Sequence, residues 1–248
     1  MNNYSDTKLG GKKLTFFTTG TVARTMPDIL KQMTLDGHEV GSHYNLHDLM
    51  YKQSNYEIAK NLSIAKESIF KACGQEPMGF RAPVFSITPD RLDIFEEINK
   101  FFQYDSSHVF NLNIHNKDYY DNLEPFSSID LIEFPIVPKG YIGGRAQIKS
   151  GGTFLRLFSK KVIKDVMEYN HFLGFTPQVY MHPYDYLSNQ EFWVPFKAFS
   201  RSKKISSVIK YFRQNQWSRL GNNSVFNKLD YILEYFDHQG TMSSSING

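Results

Sequence analysis

The chain has 248 residues and a net charge of +3, with 41% hydrophobic and 21% charged residues. That is enough chain to bury a sizeable core and too apolar a composition for disorder, and the interspersed charges give no case for nucleic acid. Apolar runs are far shorter than a bilayer span, and residues 1–10 are polar with no apolar leader core, so neither a transmembrane segment nor a signal peptide is expected and the expected location is cytoplasmic. One cysteine, Cys73, excludes an internal disulfide and a cysteine-rich zinc site; it closes an apolar helical pattern and reads as a small packed residue.

In chain order, residues 13–18 read as a short strand ending at Thr19 and Gly20. Thr25 is placed to cap a helix with Pro27 in its first turn, continuing through Ile29, Leu30 and Met33 to a stop at Gly37. Residues 39–43 read as a second strand. Ile58, Leu62, Ile64, Ala65 and Ile69 mark a long helix from about Tyr56, with Gly74 as its stop. Residues 80–83 look like a strand end, Thr88 opens a helix running to about Phe101, and Tyr104 begins a third strand-like step. Residues 131–136 and 178–182 read as later strands, 140–152 as a Gly-rich loop, and 205–236 as mostly helical. Strands alternating with helices predict an α/β fold with parallel strands. With no repeat or low-complexity linker, the expected division is an irregular segment 1–13, one domain 14–200 and a C-terminal helical extension 201–248 of the same domain.

His43 and His47 carry the strongest chemical signal. They stand four residues apart, so a helical turn beginning at the strand end puts both imidazoles on one face, where they can share zinc, cobalt, nickel or iron(II). The same spacing also fits a partly exposed helix face. His38, five residues earlier, reads as a surface residue. Arg81 at a strand end points either into a site or into a structural ion pair. His182 ends an apolar run and is followed by Pro183, which suits either a proton donor in a cleft or a satisfied core histidine.

The ordered set residues 15–17 (Thr-Phe-Phe), His43-x-x-x-His47, Arg81-Ala-Pro83, Tyr104-Asp-Ser-Ser107 and His182-Pro183 resembles the polysaccharide deacetylases, also called the NodB-homology domain or carbohydrate esterase family 4. The runs at 81–86, 104–107, 133–135, 151–156 and 180–183, and the pattern around 217–236, are similar to the subgroup found with exopolysaccharide and surface-glycan synthesis. The resemblance covers nearly the whole chain from Leu14 and implies a NodB-type distorted (β/α) barrel. It also implies metal-dependent hydrolysis of N-acetyl groups on a sugar or polysaccharide.

It further implies that His43 and His47 hold a divalent metal, zinc foremost, that polarises the acetamide carbonyl and activates a water. By the same resemblance His182 is the general acid, Asp105 orients it, and Arg81 positions the catalytic-base carboxylate. A backbone N–H near Val84 helps hold the oxyanion, and Gly151, Gly152 and Arg156 shape the substrate cleft. The family opens with an acidic strand carrying the base and a third metal ligand; Asp6 is the one acid before Thr15 and lies in no strand pattern. The barrel is therefore expected to lack its first strand and helix, and the deacetylase to be impaired. The alternative expectation is an inactive relative that binds a glycan or serves in glycan assembly.

Overall fold

A computed structural model describes residues 9–110, 129–143, 146–186 and 220–246. Two compact units divide the chain, one of residues 1–137 with 238–248 and one of 138–237.

The first unit is built on a parallel sheet, as the alternating pattern predicts. Its strands are β1 (Thr15–Thr18), β2 (Glu39–Ser42), β3 (Gly79–Phe80), β4 (Tyr104–Asp105) and β5 (Ile132–Glu133), adjacent in chain order. Phe16 pairs with Val40, Phe80 with Asp105's position one strand on, and Asp105 with Glu133. The register therefore stacks the carboxyl ends of β2 to β5 in one row, where parallel α/β sheets carry their sites.

Helices α1 (Gly20–Thr25) and α2 (Pro27–Leu35) follow β1. The expected single helix capped at Thr25 is corrected: Thr19 caps α1 by accepting from the Val22 N–H, Thr25 sits inside α1, and Met26 breaks the chain between the two helices. Pro27 fixes the first turn of α2, and Gly37 follows it with φ +83°. Helix α3 (Asn55–Cys73) matches the expected long helix. Ser54 and Glu57 close a reciprocal capping box, and Gly74 ends it in the left-handed conformation. Its Ile58 and Leu62 pack with Phe80, Ile94, Phe95 and Ile98 in a fully buried core. Each such apolar side chain contributes about 1.5–3 kcal/mol of burial. Helix α4 (Asp93–Asn99) starts later than Thr88 predicts, after turns at 89–90.

The chain end returns to this unit. Met242 N–H donates to Thr15 Oγ1 (2.8 Å) and Ser243 N–H to Glu39 Oε2 (3.1 Å), so residues 242–243 cap the start of β1 and β2 rather than extend a helix. His38, expected on the surface, is buried: its Nδ1 accepts from Leu14 N–H at 3.1 Å and its ring meets Phe16 edge-on.

In the second unit the expected loop at 140–152 contains an antiparallel pair, β6 (Lys139–Tyr141) and β7 (Ala146–Ile148). Helices α5 (Gly152–Leu157), α6 (Lys160–Phe172), α7 (Pro183–Tyr186) and α8 (Val225–Leu233) follow. Leu155, Ile163, Met167, Val225 and Ile232 form its core. Residues 178–182, expected as a strand, are extended but join no ladder; Gly152 N–H donates to Tyr180 O and Ser150 Oγ to Gln178 O instead. Residues 205–219 of the expected 205–236 helical stretch, with Asp6, lie outside the described residues, and the described remainder holds α8.

Candidate functional site

His43 stands one residue past β2. Its backbone N–H donates to Thr18 O at 2.7 Å, continuing the β1–β2 ladder. Its Nδ1 lies 2.7 Å from the carbonyl oxygen of Arg81, which calls for an N–H at Nδ1 and puts the lone pair on Nε2. His47 is exposed, and its ring centroid is 5.1 Å from that of His43. The expected helical turn is corrected here. Residues 43–49 bend irregularly, with Tyr44 at φ 71° and wholly buried, its hydroxyl donating to Gln53 Oε1. Burial pushes the Tyr44 hydroxyl up to about 12. The buried Tyr44 turns the chain so that the two histidines meet.

Neutral imidazole is a ligand type of divalent transition ions, and two lie side by side here. A carbonyl bond such as the one on His43 sets which ring nitrogen keeps its lone pair. Among the described residues no group of three or more His, Cys, Asp or Glu gathers around a common point.

Arg81 follows β3, its N–H donating to Ser42 O. Its guanidinium donates to Ser106 O (3.0 Å) and Ser106 Oγ (2.6 Å) and lies over the Phe17 ring at 4.5 Å. Val84, expected near an oxyanion-holding N–H, is 65% exposed in a 3-10 turn with φ 56°, and Phe85 has φ 53°. A β-branched residue in the left-handed region is strained, and such strain concentrates at functional turns.

The buried Asp105 and the partly buried Glu133 are neighbours across β4 and β5 and form an acid pair. Asp105 accepts from Ser107 N–H and Ser107 Oγ, both at 2.7 Å, and Glu133 accepts from His108 N–H at 3.1 Å. Burial pushes both carboxyls up, Glu133 well above its ordinary range with the Asp105 charge as the second cause, while Arg81 pulls both down. Two acids this close share a proton rather than both ionise. Glu133 appeared in the sequence only as part of a motif; its role depends on strand pairing, which no local pattern reports.

In the second unit His182 follows the extended stretch, with its side chain 45% exposed. The acid bonded to it corrects the expected Asp105 partner. His182 Nδ1 lies 2.9 Å from Asp185 Oδ2, and Asp105 is engaged by Ser107 within its own unit. The three-residue spacing from His182 across Pro183 was the available signal for Asp185. Gly151 and Gly152 sit against Tyr180: a Cβ on Gly151 would lie 2.4 Å from the Tyr180 carbonyl oxygen, and one on Gly152 3.8 Å from the His182 ring. Arg156, expected at the wall of a sugar cleft, is corrected to a buried side chain whose Nε is 2.7 Å from Asp185 Oδ1.

Residues 8–100 match the family model for polysaccharide deacetylase. Over 85 residues the chain is 31% identical to a chitooligosaccharide deacetylase of Azorhizobium caulinodans, covering 34% of this chain and 40% of that one. Over 71 residues it is 32% identical to the peptidoglycan-N-acetylglucosamine deacetylase PgdA of Listeria monocytogenes, covering 29% and 15%. The matched stretches thus span less than half of these curated relatives. Among solved structures, a candidate polysaccharide deacetylase from Mycobacterium smegmatis is 16% identical, covers 93% of this chain and 78% of that one, and has a TM-score of 0.49. Residues 8–100, which hold His43, His47 and Arg81, are thus similar to the polysaccharide deacetylases.

Proposed function

We propose that the chain takes part in metal-dependent removal of N-acetyl groups from a sugar or polysaccharide, in the setting of surface-glycan or exopolysaccharide synthesis. The observation that carries this reading is the pair of imidazoles 5.1 Å apart, one with its tautomer set by the Arg81 carbonyl, inside the segment that matches the family. His43 and His47 would hold the ion, zinc foremost with cobalt or nickel as alternatives, and bound there it supplies a Lewis acid.

The remaining chemistry belongs to side chains and backbone. Water adds to the acetamide carbon, the C–N bond breaks, and the nitrogen must receive a proton to leave as an amine, giving acetate and a free amino sugar. His182, half exposed, is the residue we assign to that proton. The N–H of Val84 in the strained turn is assigned to the developing oxyanion, the Phe85 and Ser86 N–H groups being bonded within the turn. Arg81 is assigned to orienting the base by charge, and Asp105 to the buried support beneath it. Gly151 and Gly152 allow the close approach of α5 to the stretch that carries His182.

The test is acetate release from N-acetylglucosamine oligomers with zinc or cobalt added, against a chelated control. Metal-dependent release supports the reading, and its absence with a fully metal-loaded protein overturns it. A second reading, glycan binding without turnover, is favoured by the burial of Asp105, whose two carboxylate oxygens are both engaged by Ser107 and so are poorly placed to take a proton from water. Oligomer binding by calorimetry without acetate release selects it.

A further inference from the structure

We propose that Asp185, anchored by Arg156, is the positioning residue of His182, fixing which ring nitrogen faces outward for proton transfer. This rests on the reading of His182 as the proton donor.

One carboxylate oxygen of Asp185 does two things. Oδ2 accepts the His182 backbone N–H at 2.7 Å and lies 2.9 Å from His182 Nδ1. The other oxygen, Oδ1, is 2.7 Å from Arg156 Nε. The Asp185 and Arg156 side chains are 0% and 1% exposed, while His182 is 45% exposed. A lone buried carboxylate is costly, and the guanidinium compensates it. Arg156 is itself fixed, donating to Thr153 Oγ1 at 3.2 Å and Asn222 Oδ1 at 3.3 Å. Tyr184 stacks on the imidazole with centroids 4.8 Å apart and planes 6° from parallel, which limits tilting of the ring.

An ionised carboxylate only accepts, so Nδ1 must carry hydrogen and Nε2 is the exposed exchanging nitrogen. As the amide C–N bond breaks, the Nε2 proton passes to the departing nitrogen, and the now neutral imidazole regains a proton from water. Throughout, Nδ1–H stays on Asp185.

Asp185→Asn is the informative change. The buried Arg156 charge favours the amide oxygen on its side and turns the amide NH2 toward His182 Nδ1, at the cost of the acceptor for the His182 backbone N–H. That favours hydrogen on Nε2 in the neutral ring and disfavours the doubly protonated ring that a donor must reach.

The experiment is nitrogen-15 NMR of the histidines of the full chain, with His182→Ala for assignment, at alkaline pH. The expected result is an Nδ1–H tautomer for His182 in the unaltered protein and an Nε2–H tautomer in Asp185→Asn. An Nε2–H tautomer in the unaltered protein overturns the proposal whether or not the variant folds, as does an unchanged tautomer in a folded variant. This readout needs no activity, so it separates the proposal from the deacetylase reading.

Where acetate is released, Asp185→Asn should lower amide turnover by about 10²–10⁴-fold with KM nearly unchanged. Hydrolysis of 4-nitrophenyl acetate, whose leaving group needs no proton, should fall far less. The double variant with His182→Ala should be no worse than His182→Ala alone. Equal losses on both substrates would mark a merely structural Asp185 and overturn the proposal.

Discussion

His43 and Arg81 are tied by a bond of 2.7 Å from imidazole Nδ1 to backbone carbonyl, while Arg81 N–H donates to Ser42 O at 2.9 Å. The two contacts join the ends of adjacent strands β2 and β3. The ring orientation of His43 is therefore tied to the strand register and not to the bend that carries His47.

His43→Ala and His47→Ala are each expected to weaken zinc binding at least tenfold, about 1.4 kcal/mol. Metal content after dialysis, with calorimetric titration of zinc, checks it. The same metal content in the parent and both variants rules the pair out as ligands.

The acid pair predicts an unusual pH dependence. Asp105 and Glu133 have folded-state values above their unfolded ones. Their contribution is therefore fully present below the ordinary carboxylate range, about pH 4, and is lost as pH rises through the raised values. Glu133→Gln keeps a neutral, hydrogen-bonding group beside Asp105 and removes that loss. Its melting temperature relative to the parent should rise between about pH 4 and pH 8, by at least about 2 °C for each kcal/mol relieved. A constant difference across that range would show that Glu133 is not the shared-proton partner.

What the sequence disclosed, and what it hid, follows from how local each cause is. Ser54, Glu57 and Gly74 bound α3 because capping and helix termination are decided within one turn of chain. The chain order of the parallel strands was legible for the same reason, from alternating runs. The approach of His43 to His47 was legible only as spacing. Its route runs through the left-handed Tyr44, a residue type that gives no such signal. Strands of two residues, such as β3 and β4, are too short to show a period. The burial of Arg156 is decided by packing within the second unit, which spacing does not encode.

Gly151→Ala tests the close approach of α5. The added methyl carbon would sit 2.4 Å from both the Tyr180 carbonyl oxygen and a ring carbon, and the backbone oxygen cannot rotate away. Overpacking of this kind costs about 1–3 kcal/mol. The variant should melt lower and, where acetate is released, lose turnover, because residues 180–182 must shift. An unaltered melting temperature would mean that this approach is looser than the structure shows.

Val84→Gly separates stability from function at the strained turn. Val84 has φ 56° and ψ 19°, and a non-glycine residue in that left-handed region costs about 1–2 kcal/mol. Glycine removes that strain but adds freedom to the unfolded chain, worth roughly 0.5–1 kcal/mol in the opposite direction. The valine side chain is 65% exposed, so its removal sacrifices little burial. The balance favours the variant by up to about 1 kcal/mol, about 2–4 °C in Tm for a chain of this size. If the strained backbone holds an N–H ready for the oxyanion, the same change should lower turnover, because glycine lets that N–H move. Val84→Ala provides the control: it shortens the side chain, keeps the Cβ and most of the strain, and should leave turnover close to the parent's. A glycine variant both more stable and equally active in acetate release would show that the turn is strained for some other reason than catalysis.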